Sequence, residues 1–340
     1  MGRFMPSVQQ PAVVGTFYSA DPEKLSHSLS AHLNSPLAWD IEAKALAVPH
    51  AGHVYSGPIA GTAYASVRHL SDRIKRVVLV GPAHRARFKG IALPSADSFA
   101  TPLGNIPVDW KVLSKAISLP QVKISDAAFE GEHSLEVHLP FLQHALDDFS
   151  LVPLLVGDAA PEHVDQVLRK VWGGPETLIV VSTDLSHFHD YDTAIKKDAE
   201  ATRAIETFNV GGLNGGLACG FRPLSGLLRV ARRLDLRPTA LDVRNSGDTV
   251  GDKKRVVGYG SYAFEYSGTA HIPEKFRGLL VDIAQLSIRH GLKTGHCPNV
   301  EVSAFPHSLR TMRRTFVSVH TNGVLRGCIG SLASSNHLIS

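Results

Sequence analysis

Five short stretches of this chain carry side chains able to bind a metal or move a proton. AVPH ends at His50, GPAH ends at His84, and GEHSLE holds Glu132 and His133. STDLSH holds Asp184 and His187, and LACGF holds Cys219. Imidazole nitrogen and thiolate are good ligands for iron, copper and zinc near neutral pH, where metal binding displaces their protons. His50, His84 and Cys219 are therefore candidate metal ligands. Each alone has a plainer reading, since a loop histidine is usually a surface or hydrogen-bonded group and a single cysteine usually a small buried hydrophobe. Their irregular spacing matches no zinc finger. Ligands drawn from separate strand ends belong instead to sites of the catalytic kind.

Asp184 and His187 lie three residues apart just after an apolar run. A carboxylate beside an imidazole orients its tautomer and raises its basicity, which suits His187 to general acid or base work over a metal. The alternative is a loop network in which Asp184 caps a following turn. Glu132 has a structural use too, because an acidic residue opening a helix is stabilised by the helix dipole; Glu136, four residues on, can share its face. GPAHRARFKG lacks the pattern of a phosphate-binding loop, and Ser134, Ser182 and Ser186 lie outside any G-x-S-x-G nucleophile motif. Arg85, Arg87 and Arg222 are candidates for holding an anionic substrate, although at least two are expected to be ordinary surface groups.

These residues need a frame that brings them together. The apolar runs 43–50, 76–84, 150–158 and 177–190 read as strands rich in Val, Ile and Leu, without polar alternation. That is expected when both faces of a sheet are covered. Helical spacing appears at 58–70, 160–171 and 194–208, and also at 132–146, where Pro140 should start or kink the helix. The pattern predicts an α/β layered fold with a mostly parallel central sheet flanked by helices. In such folds ligands bind beyond the carboxyl ends of strands. His50, His84 and the 184–189 group all follow a strand, so one shared cleft is expected. The segment 253–266 reads as a last strand or hairpin. A linker follows at 268–277, and then a small α+β segment at 278–340 with a helix over 278–292 and two strands within 314–332 joined at Thr-Asn-Gly-Val. One helix and one hairpin are little core. The segment is expected to lean on the first domain, 1–267, or on a second subunit of a homo-oligomer.

Bulk composition narrows the function classes. Hydrophobic residues make up 44% and charged residues 19%, as in a folded globular protein. The net charge of +4 is too even a balance to argue for nucleic acid. No apolar run reaches the length of a membrane span and no signal peptide is apparent. Cys219, Cys297 and Cys328 form no disulfide framework, so a cytoplasmic protein is expected. Histidine is the outlier, with 18 residues against 3 Met and 3 Trp.

Taken in order, VVGTFY (13–18), PHAGHVYSG (49–57), GPAH (81–84), GEHSLEVHLPFL (131–142), STDLSH (182–187), CG (219–220) and GYGSYAF (258–264) resemble the Memo family. VSVHTNGVLRGCIGSL (317–332) resembles the start of the AMMECR1 domain. The two families, with a radical-SAM protein, make up the so-called AmmeMemoRadiSam system, so the resemblance implies a radical-SAM partner. Memo proteins resemble class III extradiol dioxygenases in fold, whose iron(II) is held by two histidines and a carboxylate. By that likeness His50 and His84 are ligands, Cys219 stands where the carboxylate would be, and His187 with Asp184 is the acid/base pair. The thiolate departs from the dioxygenase pattern and favours copper relative to a site of nitrogen and oxygen alone. Ring cleavage therefore does not follow from the fold. The resemblance implies an iron or copper protein with redox activity, zinc being a further fit. It also places Phe17, Tyr18 and Tyr55 in a cleft, with Glu132 and His133, suited to a small molecule or peptide. A signalling adaptor and a metal-dependent hydrolase are the competing functions.

Overall fold

The computed structural model describes residues 7–267, 274–301, 305, 315–321 and 324–331. The chain divides into two compact units, Met1–Ala270 and His271–Ser340. The first unit begins with β1 (Val8–Gln9), α1 (Pro22–Leu33), β2 (Ala43–Val48), α2 (His53–Ser66) and β3 (Arg76–Pro82). Next come β4 (Ile91–Leu93), β5 (Ser98–Thr101), β6 (Gly104–Pro107), α3 (Trp110–Ile117) and β7 (Val122–Ile124). They are followed by α4 (Leu139–Ala145), β8 (Ser150–Val156), α5 (Pro161–Val171), β9 (Thr177–Ser182) and β10 (His187–His189). The unit ends with α6 (Tyr191–Glu206), α7 (Phe221–Arg233), β11 (Leu236–Asn245), the short α8 (Ser246–Thr249) and β12 (Val256–Tyr266).

The main sheet is mixed. At its centre β2, β9, β3 and β8 run parallel in that order. The expected parallel arrangement holds there, but β12 joins β2 antiparallel, β11 joins β12 antiparallel, and β4 joins β8 antiparallel. The central strands are apolar along their length because both faces are covered. Alternate residues such as Val78 and Val80, Val152 and Leu154, and Ile179 and Val181 share one core with α3, α5 and α7. On the opposite face α2 packs against β2, β11 and β12, and α1 and α4 pack beside it.

Several helix limits differ from the sequence expectation for local reasons. Helix α2 starts at His53, ahead of the predicted 58, and Pro58 lies inside it. Over 132–146 only α4 is an α-helix, with Pro140 in its first turn, after one turn of 3-10 helix at Glu136–His138. Glu132 therefore opens no helix. The run 177–190 breaks after Ser182, and β10 resumes only at His187.

That break positions the chemistry. Leu185 N donates to Gly258 O and Gly258 N donates to Ser186 O, at 2.8 and 2.7 Å, which stitches the loop to β12. From α6, the Asp198 carboxylate accepts a hydrogen bond from Ser186 N at 3.0 Å. Gly258 has no room for a side chain there, since a Cβ would meet the Asp198 carboxylate. Among the described residues no helix is long and apolar enough to cross a membrane.

The second unit, taken by itself, has α9 (Glu274–Thr294) and the antiparallel pair β13 (Thr315–Thr321) and β14 (Val324–Ser331). The helix and two strands match the expectation. The linker residues 268–273 and the turn residues Asn322 and Gly323 lie outside the described residues.

Asp198 supplies a test of how the loop is held. Burial outweighs the Ser186 hydrogen bonds and raises its pKa to about 6. A carboxyl group raised in the folded state binds extra protons there between about pH 4 and 6. Its contribution is intact below that window and is lost as pH rises through it. Asp198→Asn, which does not titrate, should gain on wild type by about 2 kcal/mol in stability between pH 4 and pH 7. Urea unfolding at a series of pH values reads this; a difference that is flat with pH would contradict it.

Candidate metal centre

His50 follows β2, His84 follows β3, and His133 lies in the loop before α4. One ring nitrogen from each falls within 4.8 Å of the others, the spacing of ligands around one ion. The His50 ring stands edge-on to both partners, and the His84 and His133 rings stack at 4.9 Å.

The hydrogen bonds decide which nitrogens are free to bind. Ser182 Oγ donates its one proton to Ser134 O at 2.6 Å. It must then accept at its 2.6 Å contact with His50 Nδ1, which makes Nδ1 the protonated nitrogen of that ring. His50 Nε2 keeps a lone pair. The same logic applies to His84, whose Nδ1 lies 3.1 Å from Glu132 Oε1. Glu132 also accepts from His84 N, Arg85 N, His133 N and Ser134 N, at 2.5, 3.2, 2.9 and 3.0 Å. Burial opposes ionisation of this carboxyl, but the bonds from the His84 ring and the backbone win and bring its pKa down to about 2. An ionised carboxylate only accepts, so His84 Nδ1 carries the proton and Nε2 the lone pair. Burial, then the neighbouring His84 and His133 rings, hold His50 well below the ordinary imidazole range. Burial also lowers His133, against the pull of Glu132, and its buried Nδ1 has no hydrogen-bond partner. The His50 and His84 rings, each anchored through Nδ1, turn Nε2 toward a single transition ion, and such anchoring of the far nitrogen is how protein sites orient metal-binding histidines.

Cys219 joins through His50. Its Sγ lies 3.4 Å from His50 Nε2 and 3.2 Å from Asp184 N. Gly220 makes this approach possible, because a Cβ there would strike Ser182 O. Burial, then the Asp184 carboxylate, push the thiol well above its ordinary range. The thiol is thus neutral, and a cation would have to displace its proton. Of the predicted ligand set, His50 and His84 sit in the compact group, and Cys219 adjoins it. The third member of the group is His133, which the sequence offered as a cleft residue or, in a closed shell, as a fourth ligand.

Asp184 is buried and accepts from His50 N at 2.8 Å, tying the end of β2 to the end of β9. Its pKa is raised, chiefly by burial, against the opposing pull of His187. The His187 ring is held by a different group, since Nδ1 contacts Leu185 O at 2.8 Å. Asp184 therefore acts on His187 through charge. Of the three aromatic residues, Phe17 packs edge-on to His133 at 5.0 Å, and Tyr55 is 44% exposed. Tyr18 lies in the core, its hydroxyl donating to Glu136 Oε1 at 2.7 Å and its ring stacked on His53.

Two residues that shape the site were singled out in the sequence only for other roles. Ser182 and Ser134 were weighed as nucleophiles, yet both serve as links, with Ser134 Oγ donating to Pro82 O at 2.7 Å. No local pattern marks such a link, because the partners of Ser182 lie 48 and 132 residues away.

Residues 9–263 match the family described as Memo-like protein, and residues 281–340 match AMMECR1. The chain is similar to a MEMO1 family protein of Sulfolobus acidocaldarius, 31% identical over 286 residues, which cover 76% of this chain and 99% of that relative. A MEMO1 family protein of Aquifex aeolicus is 34% identical over 263 residues, covering 74% of this chain and 97% of the relative. One of Metallosphaera sedula is 29% identical over 276 residues, with 74% and 97% covered.

If Glu132 and Ser182 set the ring tautomers, both are needed for tight metal binding. Glu132→Gln turns an amide N–H toward groups that are themselves donors, and Ser182→Ala leaves His50 Nδ1 without an acceptor. Each should weaken Co(II) or Zn(II) binding by roughly 10- to 100-fold in a chelator-competition titration. Glu132→Gln should also cost about 1–3 kcal/mol of stability. Wild-type metal affinity in both variants would refute the assignment.

Proposed function

Because this chain belongs to the Memo-like protein family, we propose that it is a metal-dependent oxidoreductase of dioxygenase-like type. His50, His84 and His133 would surround one iron(II) or copper ion, with Cys219 as the adjacent thiolate donor; zinc fits the same donors. The observation that carries this reading is the pair of Nε2 lone pairs on His50 and His84, each fixed by a partner on its other ring nitrogen. A bound iron or copper ion would supply Lewis acidity and electron exchange with dioxygen.

The chain's own groups supply the proton chemistry. His187 donates from Nδ1 to Leu185 O, which leaves Nε2 to take a proton from a substrate hydroxyl. The buried Asp184 side chain lies within electrostatic reach of this ring. Phe17 packs on the His133 ring and limits the orientations open to it.

Anaerobic reconstitution with Fe(II) or Cu(I) should give about one ion per chain by metal analysis, the single ion a catalytic centre needs. His50→Ala and Cys219→Ala should each lower the bound metal. Equal stoichiometry in all three proteins would sink the proposal. His187→Ala should keep the metal yet slow dioxygen consumption with a turned-over substrate by roughly 10²- to 10⁴-fold. Unchanged turnover would remove His187 from its role.

A second reading rests on Cys219. A thiol 3.4 Å from His50 Nε2, beside three imidazoles, offers a fourth protein donor. An ion held by these four donors and no more would have a closed tetrahedral shell, as in structural sites, and would suit a binding or adaptor protein. X-ray absorption of the metal-loaded protein separates the two, since catalysis requires an exchangeable water or an open position.

A further inference from the structure

A cavity of about 550 Å³ opens on the side of the histidine group where His84 and Cys219 lie. That volume is in the range of small-molecule sites. Its walls come from the chain after β3, the end of β8 and the start of α7. They are of two kinds. Phe88 and Val156 make an apolar side, and Arg87, Lys89 and Arg222 bring three cations against the single carboxylate of Asp158.

We propose that this cavity binds a small molecule carrying a carboxylate or phosphate group. The anion is held by Arg87, Lys89 and Arg222, and an apolar body lies against Phe88 and Val156. Three features carry this. First, cations outnumber the carboxylate, so the cavity has an excess of positive charge that a ligand anion would neutralise. Second, Arg222 is partly pre-oriented, its guanidinium lying 4.7 Å from the centre of the Phe221 ring. A planar guanidinium held this way presents a fork matched to carboxylate or phosphate oxygens. Third, the one competing contact is weak. Arg222 Nη2 donates to Asp158 Oδ1 at 2.8 Å, but the two side chains are 38% and 68% exposed. Exposed pairs of this kind contribute little, and the other guanidinium donors can turn to a ligand. Of the arginines considered in the sequence, Arg87 and Arg222 line the cavity, while Arg85 does not.

An apolar body beside the head group would cover the exposed part of Phe88. The placement of His84 and Cys219 in the same wall directs the opposite end of the ligand toward the metal centre. This last point rests on the function proposed above; anion binding itself does not.

Calorimetric titration of the full chain with benzoate, phenyl phosphate and the neutral benzamide tests the idea. At least one of the two anions should bind roughly tenfold or more tightly than benzamide, and the stronger of them identifies the head group. The double variant Arg87→Gln/Arg222→Gln should lose roughly tenfold in affinity for that anion and none for benzamide. Lys89→Gln, at an exposed position, provides the same reading if the double variant does not fold. The proposal is overturned if neither anion binds, if benzamide binds equally well, or if the variants keep full anion affinity. His50→Ala separates the two readings. Anion binding should persist in it whether or not its metal content falls, whereas unchanged metal content counts only against the proposed metal centre.

Discussion

A carboxylate taken almost out of water has to find its hydrogen bonds inside the protein, and Glu132 finds five. Two of its donors belong to His84, one to Arg85, and two to His133 and Ser134 on its own loop. The group is only 2% exposed as a side chain, so each missing donor would leave a charge unsolvated. That penalty holds the loop after β3 and the loop before α4 in one arrangement. The separation of His84 and His133 follows from it, and so does the tautomer of His84.

The same device recurs at two neighbouring points. Asp184 joins the end of β2 to the end of β9 by accepting from His50 N, while its own N–H faces the Cys219 sulfur. Glu136 accepts from Ala12 N, Val13 N and the Tyr18 hydroxyl, and so pins the N-terminal segment that carries Phe17. Buried carboxylates answered by backbone N–H groups are costly to disturb, because removing either partner leaves the other unpaired. They cluster where three loops with no regular structure must be held rigid.

At the opposite end of β2 a buried cation does the joining. Lys44 donates to Trp172 O, Gly174 O and Thr177 O at 2.8, 2.8 and 2.6 Å, and burial lowers its pKa to about 8. Its ammonium closes the turn that feeds β9. The sheet thus differs at its two ends: the amino end of β2 is closed by internal hydrogen bonds, and the carboxyl ends of β2 and β3 open into loops carrying His50 and His84. This is the division expected of parallel strands in a layered α/β fold.

The sequence by itself determined the central strands, because an unbroken apolar run bounded by Gly or Pro has few other places to go. It also pointed to one cleft for His50, His84 and the 184–189 group, since each follows an apolar strand of a sheet read as mostly parallel. What it could not determine was how the meeting is arranged. The place of His133 depends on Glu132 being solvated by another strand's loop, and GEHSLE viewed alone reads as the opening of a helix. Ser182 and Ser134, which no nucleophile motif marks, could not be read as links either, because a hydroxyl's partners are invisible until distant segments touch. The family resemblance placed Tyr18 in a cleft, and nothing local shows that its hydroxyl is taken by Glu136, 118 positions away. The antiparallel flanks of the sheet were hidden for a similar reason: strand direction is a property of pairing, and pairing is decided only when the chain has packed.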